Sequence, residues 1–106
     1  MGRFELGPLP AGYWTAQVGV KPCRHLEPGR WYRVVRAFSD SDRQHHLVGE
    51  RWKFLTSSFF PYDEEYFLVV SQDGQHEWMF GLTELLPATR QILSALETYI
   101  EAEPDR

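Results

Sequence analysis

Between Gly29 and Leu82, aromatic and β-branched residues alternate with charged ones, and short turn signals cut the stretch into four runs. A period of two marks half-buried strands, so the stretch predicts a small, strongly twisted antiparallel sheet with its aromatic face inward. The first run, Trp31–Phe38, follows the turn signal Glu27-Pro28-Gly29 and sets Tyr32, Val34 and Phe38 on one face, Trp31, Val35 and Ala37 on the other. The second, Glu50–Thr56, turns Trp52 and Phe54 inward and Arg51 and Lys53 outward. The third, Glu65–Ser71, is apolar on both faces, as a central strand would be. Asp73-Gly74 is a two-residue hairpin signal of the primed type. It leads into His76–Leu82, with His76, Trp78, Phe80 and Leu82 inward and Glu77 and Met79 outward.

After Leu82 the period changes to 3.6. Leu85, Thr89, Ile92, Leu93, Leu96 and Ile100 line one side of a helix of about four turns, with Pro87 in its first turn and Thr83 as a candidate cap. Residues 1–28 instead hold Pro8, Pro10, Pro22 and Pro28 with Gly2, Gly7, Gly12 and Gly19, which break any long element. Within this arm, the apolar stretch 13–20 is suited to lying across the sheet. The expected fold is therefore mainly β: a single SH3-like, strongly bent antiparallel barrel of about five strands over residues 29–84. It is preceded by the Pro/Gly-rich arm (1–28) and capped by a C-terminal α-helix (85–103), with a frayed tail at 103–106.

A chain of 106 residues supports one core of normal size. Aromatic residues make up 15% of it, enough for rings to dominate that core. The net charge of −4 argues against a nucleic-acid partner, which would need phosphates neutralised by Lys and Arg. The charge is unevenly placed. Residues 1–36 carry Arg3, Lys21, Arg24, Arg30, Arg33 and Arg36 against Glu5 and Glu27, whereas residues 55–106 carry ten acidic residues against Arg90 and Arg106. Pairing of the two halves is the plain reading of this asymmetry, and an acidic helical face aimed at a basic partner is the sharper one. A lone cysteine, Cys23, cannot form an internal disulfide and fits a reducing cytoplasm. The N-terminus has no signal-peptide h-region, no run is long enough to span a bilayer, and Leu6 breaks the myristoylation pattern begun by Gly2. No membrane association is expected.

Candidate chemistry begins with Asp40, Asp42, His45 and His46 in one polar loop. A calcium loop starting at Asp40 would have His45 where Gly is needed and Arg51 where Glu is needed, so an EF-hand is rejected. A zinc or iron site remains an alternative, although adjacent His residues on an extended chain face opposite ways and only one would ligate. Cys23 and His25 lack a third orienting group for nucleophilic catalysis. Carboxylate pairs from Asp63, Glu64, Glu65 and Glu77 are the kind any acidic chain supplies. No phosphate-binding loop and no cofactor motif is present, so no cofactor, metal or catalytic residue is assigned. His76, on the predicted inward face, reads as a buried, neutral core histidine. Arg-aromatic clusters at Arg30–Arg33 and Arg51–Lys53 resemble single-strand binders, but those rings are needed for the core.

A protein or peptide partner explains more. The acidic loop 39–46 and the aromatic, Pro-containing loop 58–63 would form a shallow groove if they share one rim, and such grooves catch extended peptides. Phe59 and Phe60 either line that groove or plug the end of the barrel. The expected contact residues are Asp40, Asp42, His46, Glu50, Tyr62 and Asp63. The chain then reads as a non-enzymatic accessory module, one version being an immunity-type inhibitor whose acidic helix face blocks a basic toxin. The alternative is a metal-dependent enzyme or metal-binding protein using the Asp40–His46 loop.

The same residues form a recognisable string. Gly29, Tyr32, Val34, Phe38, Asp40 and Asp42, then His46, Gly49, Glu50, Trp52 and Phe54, then Phe59 or Phe60 with Pro61-Tyr62-Asp63, then Asp73-Gly74 and Glu77-Trp78, follow one pattern. It resembles a bacterial family of small uncharacterised domains with the core GxxYxVxxxFxDxD, HxxGExWxF and FxPYD. The match runs from Gly29 to Trp78 and leaves out the arm and the helix. In that pattern a Gly often follows the second Asp, where this chain has Arg43. The resemblance implies a domain boundary and no known activity.

Overall fold

The computed structural model describes residues 6–104; residues 1–5 of the expected arm and 105–106 of the expected tail lie outside the described residues. The long alternating stretch forms a meander of three strands: β5 (Arg51–Phe60), β6 (Glu65–Ser71) and β7 (His76–Thr83). They are joined to β1 (Leu6–Pro10), β2 (Trp31–Val34) and β8 (Ile100–Ala102) in one antiparallel sheet of order β1-β7-β6-β5-β2-β8. Central β6 pairs Phe67 with Gly81 on one side and with Ser58 on the other, which is why its residues are apolar on both faces. A register shift between Phe54 and Thr56 inserts Leu55 as a bulge and bends β5.

The expected closed, SH3-like barrel of five strands gives way to an open sheet of six. Its ends, β1 and β8, do not pair with each other. Both are suited to be edges. β1 carries Pro8 and Pro10, which have no N–H to offer a further strand, and β8 is three residues long with Pro104 just beyond.

The inward face carries Tyr32, Val34, Trp52, Phe54, Leu68, Val70, Phe80 and Leu82, all buried. Trp52 meets Phe80 edge-on at 6.0 Å and lies 6.2 Å from Tyr32. The chain after β7 covers this face with α2 (Pro87–Ser94) and α3 (Leu96–Tyr99), burying Ile92, Leu93, Leu96 and Tyr99. The single helix expected over 85–103 is therefore two short ones. Ala95 leaves helical geometry at φ −137°, and the β-branched Ile100 starts a strand that fills the open edge of β2, with Val34 opposite Ile100. α2 carries Arg90 and no acidic residue, α3 carries only Glu97, and Glu101 falls in β8, so the expected acidic helix face is broken up.

The outward face is also partly covered. From β1 the arm turns into α1 (Thr15–Val18), then crosses Thr56 and Ser57, which bond Lys21 and Pro22. It ends by placing Cys23 and Leu26 in the core. His76 differs from expectation: it is exposed at the start of β7 and bonds Asp73, because the strand reaches the core only from Trp78 onward. The Asp73-Gly74 turn is a four-residue connection rather than a two-residue one, since β6 ends at Ser71 and β7 begins at His76. Asp73 Oδ1 accepts the Gln75 and His76 N–H groups, and these bonds with the His76 ring hold its carboxyl down to about 2.

Candidate functional site

The Asp/His segment is built as a hairpin, β3 (Phe38–Ser39) with β4 (His45–His46), pairing Phe38 with His46. As the alternation requires, His45 faces solvent and His46 faces in. His46 Nε2 lies 2.8 Å from Asp40 Oδ2 and Nδ1 2.7 Å from Glu50 Oε2, while Trp52 Nε1–H donates to the same Glu50 oxygen. The ring is sandwiched between Phe38 and Phe80, at 4.6 and 4.4 Å. Burial alone would push the imidazole toward neutrality, but the hydrogen bonds and charges of Asp40 and Glu50 outweigh it and raise its pKa. In the protonated ring both nitrogens donate to carboxylates.

This arrangement corrects three of the six expected contact residues. Asp40, His46 and Glu50 are 4%, 0% and 5% exposed, so no partner reaches them. It also weakens the metal reading, because both His46 nitrogens already hold carboxylates. Among the described residues no group of three or more His, Cys, Asp or Glu side chains is arranged to hold a metal ion. The other carboxylate oxygen of Asp40, Oδ1, accepts the N–H groups of Asp42 and Gln44 and shapes the turn between β3 and β4.

That turn sets the backbone at position 43. Arg43 has φ +64°, the left-handed region in which a glycine is unstrained and other residues lose about 1–2 kcal/mol. Glycine's extra freedom in the unfolded chain offsets about 0.5–1 kcal/mol of that. Arg43→Gly is therefore expected to stabilise the protein by about 0.5–1 kcal/mol, measured as a higher denaturant midpoint with an unchanged slope; a lower midpoint would contradict the account.

The other three expected residues, Asp42, Tyr62 and Asp63, are exposed, Tyr62 completely. The segments that carry them meet at one place. Ser41 N–H donates to Gly81 O, Ser41 Oγ accepts Thr83 N–H, and the Thr83 hydroxyl donates to Asp63 O. Glu84 N–H then donates to Glu64 O. The two loops thus share one rim, at the end of β7. Phe59 and Phe60 belong to β5 and remain 45% and 48% exposed, so they line this end rather than plug a barrel. Each is backed by a ring of β6, Phe59 by Tyr66 at 4.6 Å and Phe60 by Phe67 at 4.9 Å. The bonds from Thr83 and Glu84 place Leu85 and Leu86, both exposed, beside the same turn.

Glu65 belongs here as well, although from the sequence it is only one of four carboxylates set aside as generic. A Cβ on Gly81 would clash with its Oε2 and lie 3.0 Å from Phe67 Cε1, so carboxylate and ring pack side by side over that glycine. Burial, chiefly, raises its pKa, a hydrogen bond from Ser41 lowers it, and Asp42, Asp63 and Asp40 raise it further.

This sheet has a known counterpart. The chain is similar to a solved integron cassette protein from the mobile metagenome of Vibrio cholerae, with 25% identity and a TM-score of 0.69 over 82% of this chain and 99% of that one. No protein-family model and no curated protein matches the sequence. Among the described residues no helix is long and apolar enough to cross a membrane.

Elsewhere the chemistry is closed off. Burial pushes the Cys23 thiol up to about 11 despite the Arg24 charge beside it. His25 Nε2–H donates to Ile100 O rather than serving the thiol. Cys23 is accordingly expected to resist iodoacetamide at neutral pH until denaturant is added, and rapid labelling of the folded protein would contradict this. Glu77, expected to face outward into solvent, is 2% exposed. Its carboxylate accepts the N–H groups of Gly12, Trp14 and Thr15 and the Thr15 hydroxyl. The shallow pocket between Thr15, Lys53, Ser71 and His76 has this carboxylate in its wall. Its oxygens are committed to binding the arm and offer no free base.

Proposed function

We propose that the protein is a non-enzymatic accessory module that docks another protein or a peptide at the end of the β5–β6 hairpin. One observation carries this reading: among the described residues, five of the nine exposed large apolar side chains, Phe59, Phe60, Tyr62, Leu85 and Leu86, belong to the β5–β6 turn, whose two faces Phe59 and Phe60 flank, and to the segment bonded to it. Scattered exposed apolar residues need no explanation, whereas a cluster on a rigid hairpin marks a contact surface. Tyr and Phe rings bury much area on docking and lose little side-chain entropy, and here Phe59 and Phe60 are held on a strand and Tyr62 in the turn that follows. The bland alternative, a merely solvated turn, does not explain why the rings are concentrated at one end.

The small-domain family resembled by the FxPYD string is proposed as the chain's wider kin. A cytoplasmic setting belongs to the same reading. An immunity-type inhibitor is a specific form of it, with the blocking surface at the hairpin end instead of on a helix. Metal-dependent chemistry is less favoured, because His46 is committed to Asp40 and Glu50.

A photo-crosslinking side chain placed at Tyr62 tests the proposal in cells, with one at exposed Gln72 in the opposite hairpin as control. A discrete adduct at position 62 and none at 72 is the expected result. Equal adducts at both positions, or none at 62, would overturn it.

A further inference from the structure

The rings of the hairpin end sit among carboxylates that the protein does not neutralise. Three carboxylates of the surface are matched by arginines: Glu84, beside this same end, by Arg24, which also lies over the Tyr66 ring, Glu27 by Arg30, and Glu103 by Arg51 through two 2.7 Å bonds. Among the described residues, Asp42, Asp63 and Glu65 form no ion pair with any Lys or Arg. They nonetheless lie close enough together for Asp42 and Asp63 to oppose ionisation of Glu65. Such mutual repulsion is a standing cost that an incoming cation relieves. Acidity alone would be a solvated face. What distinguishes this one is that the Glu65 carboxylate packs beside Phe67 over Gly81, with the Phe60 ring tilted by 59° against Phe67 at 4.9 Å.

Resting on the binding role proposed above, we infer that the partner inserts a basic side chain here. Its aliphatic stem or guanidinium plane lies across Phe60 and Phe67, and its charged head reaches Glu65, Asp42 and Asp63. Arginine fits best, since a guanidinium stacks on a ring and pairs with a carboxylate at once. Exposed Tyr62 and Leu85 supply apolar contact around that anchor. The occupant is thus a basic segment of a protein, chosen over an apolar or acidic one by charge complementarity.

The test is selection of random short peptides displayed on phage against the full chain, with each selected peptide mapped by backbone amide shifts. The inference expects enrichment of Arg over an unselected library and shifts confined to residues 59–67, 81–86 and Asp42. It also expects binding to weaken roughly tenfold in the Asp42→Asn, Asp63→Asn double variant, and by a similar factor when salt rises from about 50 to about 300 mM. Both substituted side chains are exposed, so an unchanged melting temperature confirms that the fold is intact. Peptides that map to the same rings without basic enrichment would overturn this inference and leave the binding role standing. Peptides that map elsewhere, or none that bind, would sink both. Concentration-dependent self-association through the hairpin end would show that the occupant is a second copy of this chain and would overturn a foreign basic partner.

Discussion

Replacing His46 with leucine is expected to cost about 3–5 kcal/mol of folding stability, a large part of what a domain of this size has. The substitution leaves the Asp40 and Glu50 carboxylates buried without the imidazole that bridges them. A triple variant, His46→Leu with Asp40→Asn and Glu50→Gln, is expected to recover much of the loss. The amide oxygens can still accept from Asp42, Gln44 and Trp52, and the uncompensated charge is gone. Urea unfolding of the wild type and both variants measures this; a single variant as stable as the wild type would show that the triad is not charged. The triad also sets a pH dependence. The folded pKa of His46 lies above its unfolded value of about 6.5. Its contribution is therefore present in full below the unfolded value and is lost as pH rises through the folded one. Denaturant midpoints in the wild type should fall as pH rises above about 6.5, and a midpoint rising there would contradict the assignment.

The second large effect is expected at Glu77. Glu77→Ala removes the acceptor of three backbone N–H groups and one hydroxyl, and charge-assisted bonds of this kind contribute about 1.5–3 kcal/mol each when taken singly. They are not additive, because the arm can lift away and expose its donors to water. The expected global loss is about 2–4 kcal/mol, accompanied by rapid hydrogen exchange at Gly12, Trp14 and Thr15. Glu77→Gln keeps one acceptor oxygen and is expected to fall between. Unchanged protection at these amides in the alanine variant would mean that the arm is held by other contacts.

Much of the sheet was legible in the sequence because the relevant signal is local. β6 spans Glu65–Ser71, as its doubly apolar run indicated, and the inward set Tyr32, Val34, Phe38, Trp52 and Phe54 follows directly from period-two alternation. The same alternation carried an unused clue. Asp40 is two residues from Phe38, and Glu50 is two from Trp52, so both stood on the inward face. Their charge suggested solvent, whereas a histidine supplied by a neighbouring strand makes burial tolerable. Glu77 misled for a related reason. It is on the outward face, but the arm covers that face, and only tertiary structure shows it. The helix break at Ala95 depends on the open edge of β2, which no window of sequence around residue 95 contains. In the candidate site, Tyr62, Asp63 and Asp42 could be found from composition and loop position. Glu65, Leu85 and Leu86 required knowing that the turn after β5 and the end of β7 are bonded together.

The central claim is that function resides in the hairpin end while the Asp40–His46–Glu50 cluster is interior structure. Hydrogen exchange of the protein alone and with its bound partner or selected peptide tests it most directly. The account predicts added protection at residues 59–66 and 83–86, with residues 45–52 and 11–17 unchanged. Protection centred on 45–52 or on 11–17, with the hairpin end unaffected, would contradict it.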